Sequence, residues 1–207
     1  MMSSTRTRRS ASERVAEIGD AARAIALQSG LSAVTLRGVA QHMGVASALV
    51  AHYAPSMNDL VAETFATIVG AELTELQQVA NAQDGHSAAL VSMLGSMLDE
   101  DRADVTLIWV QSWALGGRNP ALAESVREQM DRWRAFLAGL LAEGRRAGEF
   151  RFDDPIAIAG QVLGMIDGLN AHSLVGWQRP RERTELLMRS VESMLGLSSG
   201  ALIDRMP

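Results

Sequence analysis

The chain has 207 residues, 47% of them apolar, and its 19 basic residues are all arginine; cysteine is absent. This length allows one large domain or two small ones with a sizeable core, and the missing cysteine excludes disulfides, thiolate nucleophiles and Cys-ligated metal sites. The net charge of −5 is uneven: residues 1–60 hold six arginines against four acids, and the remainder 13 against 20.

A positive end on an acidic body suits a protein that meets phosphate at one end. The N-terminus MMSSTRTRRSASE lacks the apolar stretch of a secretory signal. No apolar run reaches the roughly 18 residues of a membrane span. The expected compartment is the cytoplasm. Abundant Ala, Leu, Arg and Glu with few aromatics favour helix over strand.

Residues 1–11 read as a flexible arm carrying Arg6, Arg8 and Arg9. Helix one is expected from about Ser12 to Ser29, with Val15, Ile18, Ala22 and Ile25 on one face and Gly30 as a left-handed stop. Thr35 is placed to cap helix two, whose apolar residues are Leu36, Val39, Ala40 and Met43. Gly44 permits a sharp turn. Helix three follows from about Ala46 to Tyr53, with Val45, Leu49 and Val50 inward. Pro55 ends the unit. Ser56 and Asp59 form a capping-box-like pair opening helix four, which runs to about Val79 and buries Leu60, Phe65 and Ile68.

Prolines mark the later helices. Asn119-Pro120 and Asp154-Pro155 each set a capping residue before a proline suited to the first helical position. Further helices are expected near 86–99, 104–115, 120–146, 155–175 and 180–196. Nine helices and no convincing strand predict an all-α protein.

Two short helices joined at Gly44, beside a basic N-terminus, have the form of a helix-turn-helix. Its second helix enters the major groove while the first crosses the phosphate backbone. With Val45, Leu49 and Val50 inward, Ser47, Ala48, Ala51 and His52 fall on or near the outward face. Ala48 or Ala51 is small enough to touch a thymine methyl, and His52 and Tyr53 can donate to bases or phosphate. Thr35 and Arg37 point toward phosphate. Arg8 and Arg9 on the arm are candidates for the minor groove or for added charge. Spacing alone leaves a second reading, in which the pair only packs inside a helical binding protein that does not touch DNA.

The segment from about residue 12 to 65 resembles the N-terminal domain of the TetR family of bacterial repressors. The resemblance rests on Thr35, Val39-Ala40, Gly44-Val45 and His52-Tyr53. The run Val50-Ala51-His52-Tyr53 is most similar to the branch typified by the betaine-pathway regulator. Three positions depart from the family pattern: Ala54 replaces a phenylalanine, Met57 a phosphate-contacting lysine, and Ala46 a Ser or Thr cap. These departures bear on DNA affinity rather than on fold. The resemblance implies a nine-helix fold with a reading head at 12–56 and a ligand-binding and dimerising body at 57–207. It also implies a cavity among helices four to seven and a dimer made by the last two helices.

The residues of the body suit this division. The 155–175 helix is apolar on nearly every side and is expected to be buried all round. Gly160, Gly164 and Gly168 recur at steps of four; together with Leu174 they are the candidate dimer face, or the seat of a neighbouring helix. Each glycine weakens the helix by about 1 kcal/mol, so a close approach is expected to offset it. Candidate ligand residues are Trp109, Trp113, Trp133, Phe136, Met97 and Asn170, although aromatics at helical spacing are more often ordinary core. Asp167, Asn170 and His172 are polar groups on an apolar helix and need partners, from a ligand or across a dimer.

The four histidines show no metal-ligand spacing, and no G-x-S-x-G, P-loop or H-E-x-x-H motif occurs. The Asp99–Asp104 acidic run is expected to be solvated. No enzyme activity, metal or cofactor is therefore expected. The sequence reads as a ligand-responsive transcriptional regulator, in the sense of a repressor, that binds a palindromic double-stranded operator as a homodimer. A small-molecule effector of unspecified identity would release it.

Overall fold

The computed structural model describes residues 10–206. Among them are nine α-helices, three short 3-10 turns and no strand. They are α1 (Ala11–Ser29), α2 (Leu36–Met43), α3 (Ser47–Tyr53), α4 (Met57–Asn81), α5 (His86–Met97), α6 (Ala103–Gly116), α7 (Pro120–Arg146), α8 (Pro155–Ser173) and α9 (Pro180–Met194). The expected all-α class and helix order hold. Most ends lie within two residues of their predicted places, as fraying ends commonly do.

Local chemistry explains the starts. Thr35, Ser56, Asn119 and Asp154 each accept a hydrogen bond from a first-turn backbone N–H, satisfying donors that the helix cannot pair internally. At α1 the pairing is reciprocal: Ser10 accepts from the Glu13 N–H while Glu13 accepts from the Ser10 N–H. Helix α5 has no such local cap. Its free N–H groups at His86 and Ser87 donate at 3.0 and 2.8 Å to the Glu149 carboxylate, 62 to 63 residues away.

Helices α1–α3 pack on one another, α1 joins them to α4 and α6, and the long α4 and α7 form the spine of the body. Helix α8 lies on α7, and α9 lies on α8. Buried side chains run as one contiguous cluster from Ile18 in the head to Leu202 near the C-terminus. After α9, the Glu192 carboxylate accepts from the N–H groups of Gly200, Leu202 and Ile203 and pins the tail to the body.

Two expectations fail. Val15 is 51% exposed, because α1 turns only Ile18, Ala21, Ala22, Ile25 and Ala26 inward. Gly30 has φ 82° and ψ 167°, an extended region open to glycine alone and not the left-handed helical one. Helix α8 buries only Ala159, Val162, Ile166 and Leu169 within one chain, and Ile156 is 57% exposed. One face of α8 packs on the chain and another does not, so the expected burial all round would need a partner.

Candidate functional site

The head presents the predicted outward face. Ser47, Ala48, Ala51 and His52 are exposed on α3, while Val50 is fully buried beneath them and Val45 and Leu49 are half-buried. Gly44 takes the left-handed conformation (φ 64°, ψ 36°) that turns the chain from α2 into α3. Arg37 is exposed on α2 and forms no ion pair among the described residues. Thr35 spends its hydroxyl oxygen as an acceptor for the Gly38 N–H at 3.0 Å, which leaves the hydroxyl proton to donate. Arg8 and Arg9 lie outside the described residues.

Tyr53 sits differently from the rest. It is half-buried and borders an open groove between α1 and α3 whose wall carries Glu13, Arg14, Glu17 and Asp20, with Arg14 2.9 Å from Glu17. Met57, which stands where a phosphate-contacting lysine is usual, packs against the core. Ala46 caps α3 with extended backbone but donates no side-chain acceptor. Ala46→Ser is therefore expected to add about 1 kcal/mol of stability. In thermal unfolding this should raise the midpoint by roughly 2–4 °C for a chain of this size.

The body holds a cavity of about 390 Å³ between α4, α6, α7 and α8, with Met97 of α5 at its edge. Trp109, Trp133, Met97 and Asn170, four of the candidate ligand residues, line it. Trp113 and Phe136 do not: Trp113 stacks behind Trp109 with ring centroids 6.0 Å apart, and Phe136 packs half-buried on the core. Helix α8 supplies a wall that the resemblance did not assign. Glu72 on α4 and Asp167 on α8 also face the cavity. A lone glutamate on an amphipathic helix reads as solvated, so Glu72 gave no sequence signal. Asp167 did, as a charge on an apolar helix.

Both carboxyls are strained toward neutrality. Burial pushes Glu72 up to about 7, against the opposing pull of a hydrogen bond from the Trp109 indole N–H (3.3 Å) and of Arg102. Arg102 stands 3.8 Å from Glu72 and gives its short contact, 2.7 Å, to Glu75. Burial alone pushes Asp167 up to about 6. Asp167 has no hydrogen-bonding or ionic partner among the described residues, whereas neighbouring Asn170 donates to the Met97 carbonyl at 3.0 Å. His172 packs edge-on against Trp177, 4.9 Å between centroids.

A short contact joins head and body. Gln111 of α6, two residues beyond Trp109, accepts at 3.0 Å from the Ser32 N–H in the turn that precedes α2. Gly30 lies beside it: a Cβ there would stand 2.6 Å from the Gln111 amide. Within the body, Asn119 donates at 3.1 Å to the Asn58 carbonyl at the start of α4.

The candidate dimer residues lie on the uncovered side of α8. A Cβ added at Gly160, Gly164 or Gly168 would meet nothing within 4 Å, so no helix of the same chain seats on them. Gly160 and Gly164 border the cavity as well. Leu174 follows at the end of α8 and is half-buried. Among the described residues no helix is long and apolar enough to cross a membrane, and no metal-binding cluster occurs.

Comparison with known proteins agrees with this arrangement. Residues 86–196, more than half of the chain, match the family described as BetI-type transcriptional repressor, C-terminal. Residues 18–64 match the bacterial regulatory proteins of the tetR family. No curated protein matches the chain. Solved structures share the fold. A transcriptional regulator from Rhodococcus sp. Rha1 has TM-score 0.74 and 22% identity, over 88% of this chain and 96% of that one. A Saccharomonospora viridis protein in complex with choline has TM-score 0.73 and 22% identity, over 87% and 96%. FadR from Bacillus subtilis, in complex with stearoyl-CoA, has TM-score 0.67 and 18% identity, over 87% and 97%. With both its head and its body matched, the chain belongs to the TetR family of transcriptional regulators and carries that family's DNA-binding helix-turn-helix.

Proposed function

We propose that the protein is a cytoplasmic, homodimeric repressor whose grip on a palindromic operator is released by a small molecule in the α4–α8 cavity. Residues 12–56 act as the reading head and 57–207 as the sensing and dimerising body. The observation that carries this reading is the shared use of α6. One helix lines the cavity through Trp109 and docks on the head through Gln111. Ser47, Ala48, Ala51 and His52 meet base edges, Thr35 and Arg37 meet phosphate, and Arg8 and Arg9 add charge. Tyr53, beside His52, is a further donor to phosphate or a base edge. A second copy covers the open face of α8, with Gly160, Gly164 and Gly168 allowing close approach and Leu174 closing the seam. Two heads so joined read half-sites about 34–36 Å apart or a multiple of that.

The test is a gel shift at low salt with DNA flanking the protein's own gene, with the mass of the complex measured by light scattering. Retardation by two copies per operator is expected; absence of retardation overturns the reading. Arg37→Ala should weaken binding to specific and random DNA alike. It should also lower the slope of log affinity against log salt by about one unit, as expected for one lost phosphate contact.

A further inference from the structure

Arg102, where the turn after α5 enters α6, forks between two carboxylates of α4. Its Nη2 stands 2.7 Å from Glu75, while its Nη1 reaches toward Glu72 and stops at 3.8 Å. The two acids differ in setting: the Glu75 side chain is 60% exposed and that of Glu72 10%. An ion pair with a solvated carboxylate contributes little, whereas a buried carboxylate needs its counter-ion. The guanidinium therefore sits on the acid that needs it less, an arrangement suited to a Glu72 that carries its proton. Once Glu72 ionises the balance reverses. Arg102 then gains by closing the gap to Glu72 and leaving Glu75 to water.

Glu72 also occupies a particular place between head and body. A groove of about 450 Å³ runs between α1 of the head and α4 and α6 of the body. Among the described residues, Glu72 alone lines both this groove and the central cavity. Across the groove stand Asp20 and Arg23 of α1, paired with each other. A charge that appears on Glu72 thus appears opposite the helix on which α2 and α3 pack. Asp104, in the first turn of α6, also faces Glu72. On the cavity side are Arg127, Asp131 and Arg134 of α7 and Asp167 of α8.

We propose that Glu72 and Arg102 make DNA binding responsive to protons. With Glu72 neutral the arginine serves Glu75; with Glu72 ionised it turns inward, draws the start of α6 toward α4 and weakens the hold on DNA. The effect on DNA rests on the operator reading above. Its sign follows from charge, because the new anion faces the Asp20 bank of the head and adds to the repulsion between chain and phosphate. Burial keeps the proton on Glu72 up to about 7, so the exchange takes place near neutral pH. By reciprocity, bound operator raises the midpoint at which Glu72 titrates.

The experiment uses the full chain, labelled with ¹³C at glutamate carboxyls and ¹⁵N at arginine side chains, followed by NMR through a pH titration. The Glu72 signal, assigned by its loss in Glu72→Gln, is expected to titrate near 7, and the Arg102 and Arg23 signals to move with the same midpoint. Glu75→Gln, a change at an exposed position, should lower that midpoint, and Arg102→Gln should raise it. An Arg102 signal that ignores Glu72, or a midpoint that Glu75→Gln leaves in place, overturns the proposal. Operator affinity is measured by gel shift about one pH unit to either side of the Glu72 value. Between these, wild type should weaken about fivefold more than Glu72→Gln, the low end of ordinary coupling. Groups common to both proteins cancel in this comparison, so equal weakening also overturns the proposal. If DNA is retained at neither pH, the operator reading falls, and Arg23 decides the rest: a guanidinium on α1 that stays still while Glu72 titrates means that the head does not sense the proton.

Discussion

Glu72→Gln is expected to stabilise the free protein by about 3 kcal/mol above the folded-state value of about 7, and by almost nothing below 4.5. The sign follows from proton counts. Between the two values the native state holds a proton on Glu72 that the unfolded chain has released, so stability falls as pH rises. Glutamine keeps an acceptor for the Trp109 indole and carries no charge to desolvate. The side chain is only 10% exposed, so solvent screening does little to reduce the effect. Chemical denaturation of both proteins at acid and at alkaline pH measures it. A difference that is flat with pH would mean that Glu72 is not strained in the native state.

Gly144→Ala is expected to cost roughly 2 kcal/mol despite alanine's better helix propensity. A Cβ at this position in α7 would stand 2.2 and 2.3 Å from ring atoms of Phe150 and 3.1 Å from the His86 Cβ. Phe150 is 2% exposed, so its ring is held in the packed core and moves only at the expense of its neighbours. Overpacking of this kind costs about 1–3 kcal/mol or more, and the propensity gain returns only about 1. The denaturation midpoint reports the loss. Phe150→Leu in the Gly144→Ala background should recover part of it, giving a coupling that two independent sites would lack.

His86 also belongs to an acid-sensitive contact of the body. Burial opposes ionisation of Glu149, but hydrogen bonds from the side chains and backbone N–H groups of His86 and Ser87 outweigh it. They hold the carboxyl at about 2. This contribution is complete above the ordinary value of 4.5 and is lost as pH falls toward 2. Acid should therefore loosen α5 from the α7–α8 turn even as it relieves Glu72 and Asp167.

What could be read from the sequence was mostly local. Asn119-Pro120 and Asp154-Pro155 announced α7 and α8 because a cap and a first-turn proline act within one turn of chain. The same holds for Thr35, Gly44 and Ser56, which define the head. What needed the third dimension was hidden. Glu149 caps α5 from 62 residues away, and Gly30, which closes α1 through its N–H to the Ala26 carbonyl, also lies against Gln111 of α6. Apolar residues around α8 could not reveal which of them pack in the chain and which wait for something else. Glu72 became visible only once α4, α6 and α7 enclosed it.

Trp109 and Gln111 stand about 200° apart around α6 and about 3 Å apart along its axis. They therefore face opposite ways. A sideways shift of the helix that opened space at the indole would press the amide toward the Ser32 turn, and a shift in the other sense would draw it back. Cavity substitutions that change the size of the Trp109 seat should thus alter operator affinity with no effector added. Operator DNA in turn should tighten or loosen that seat by the reciprocal amount.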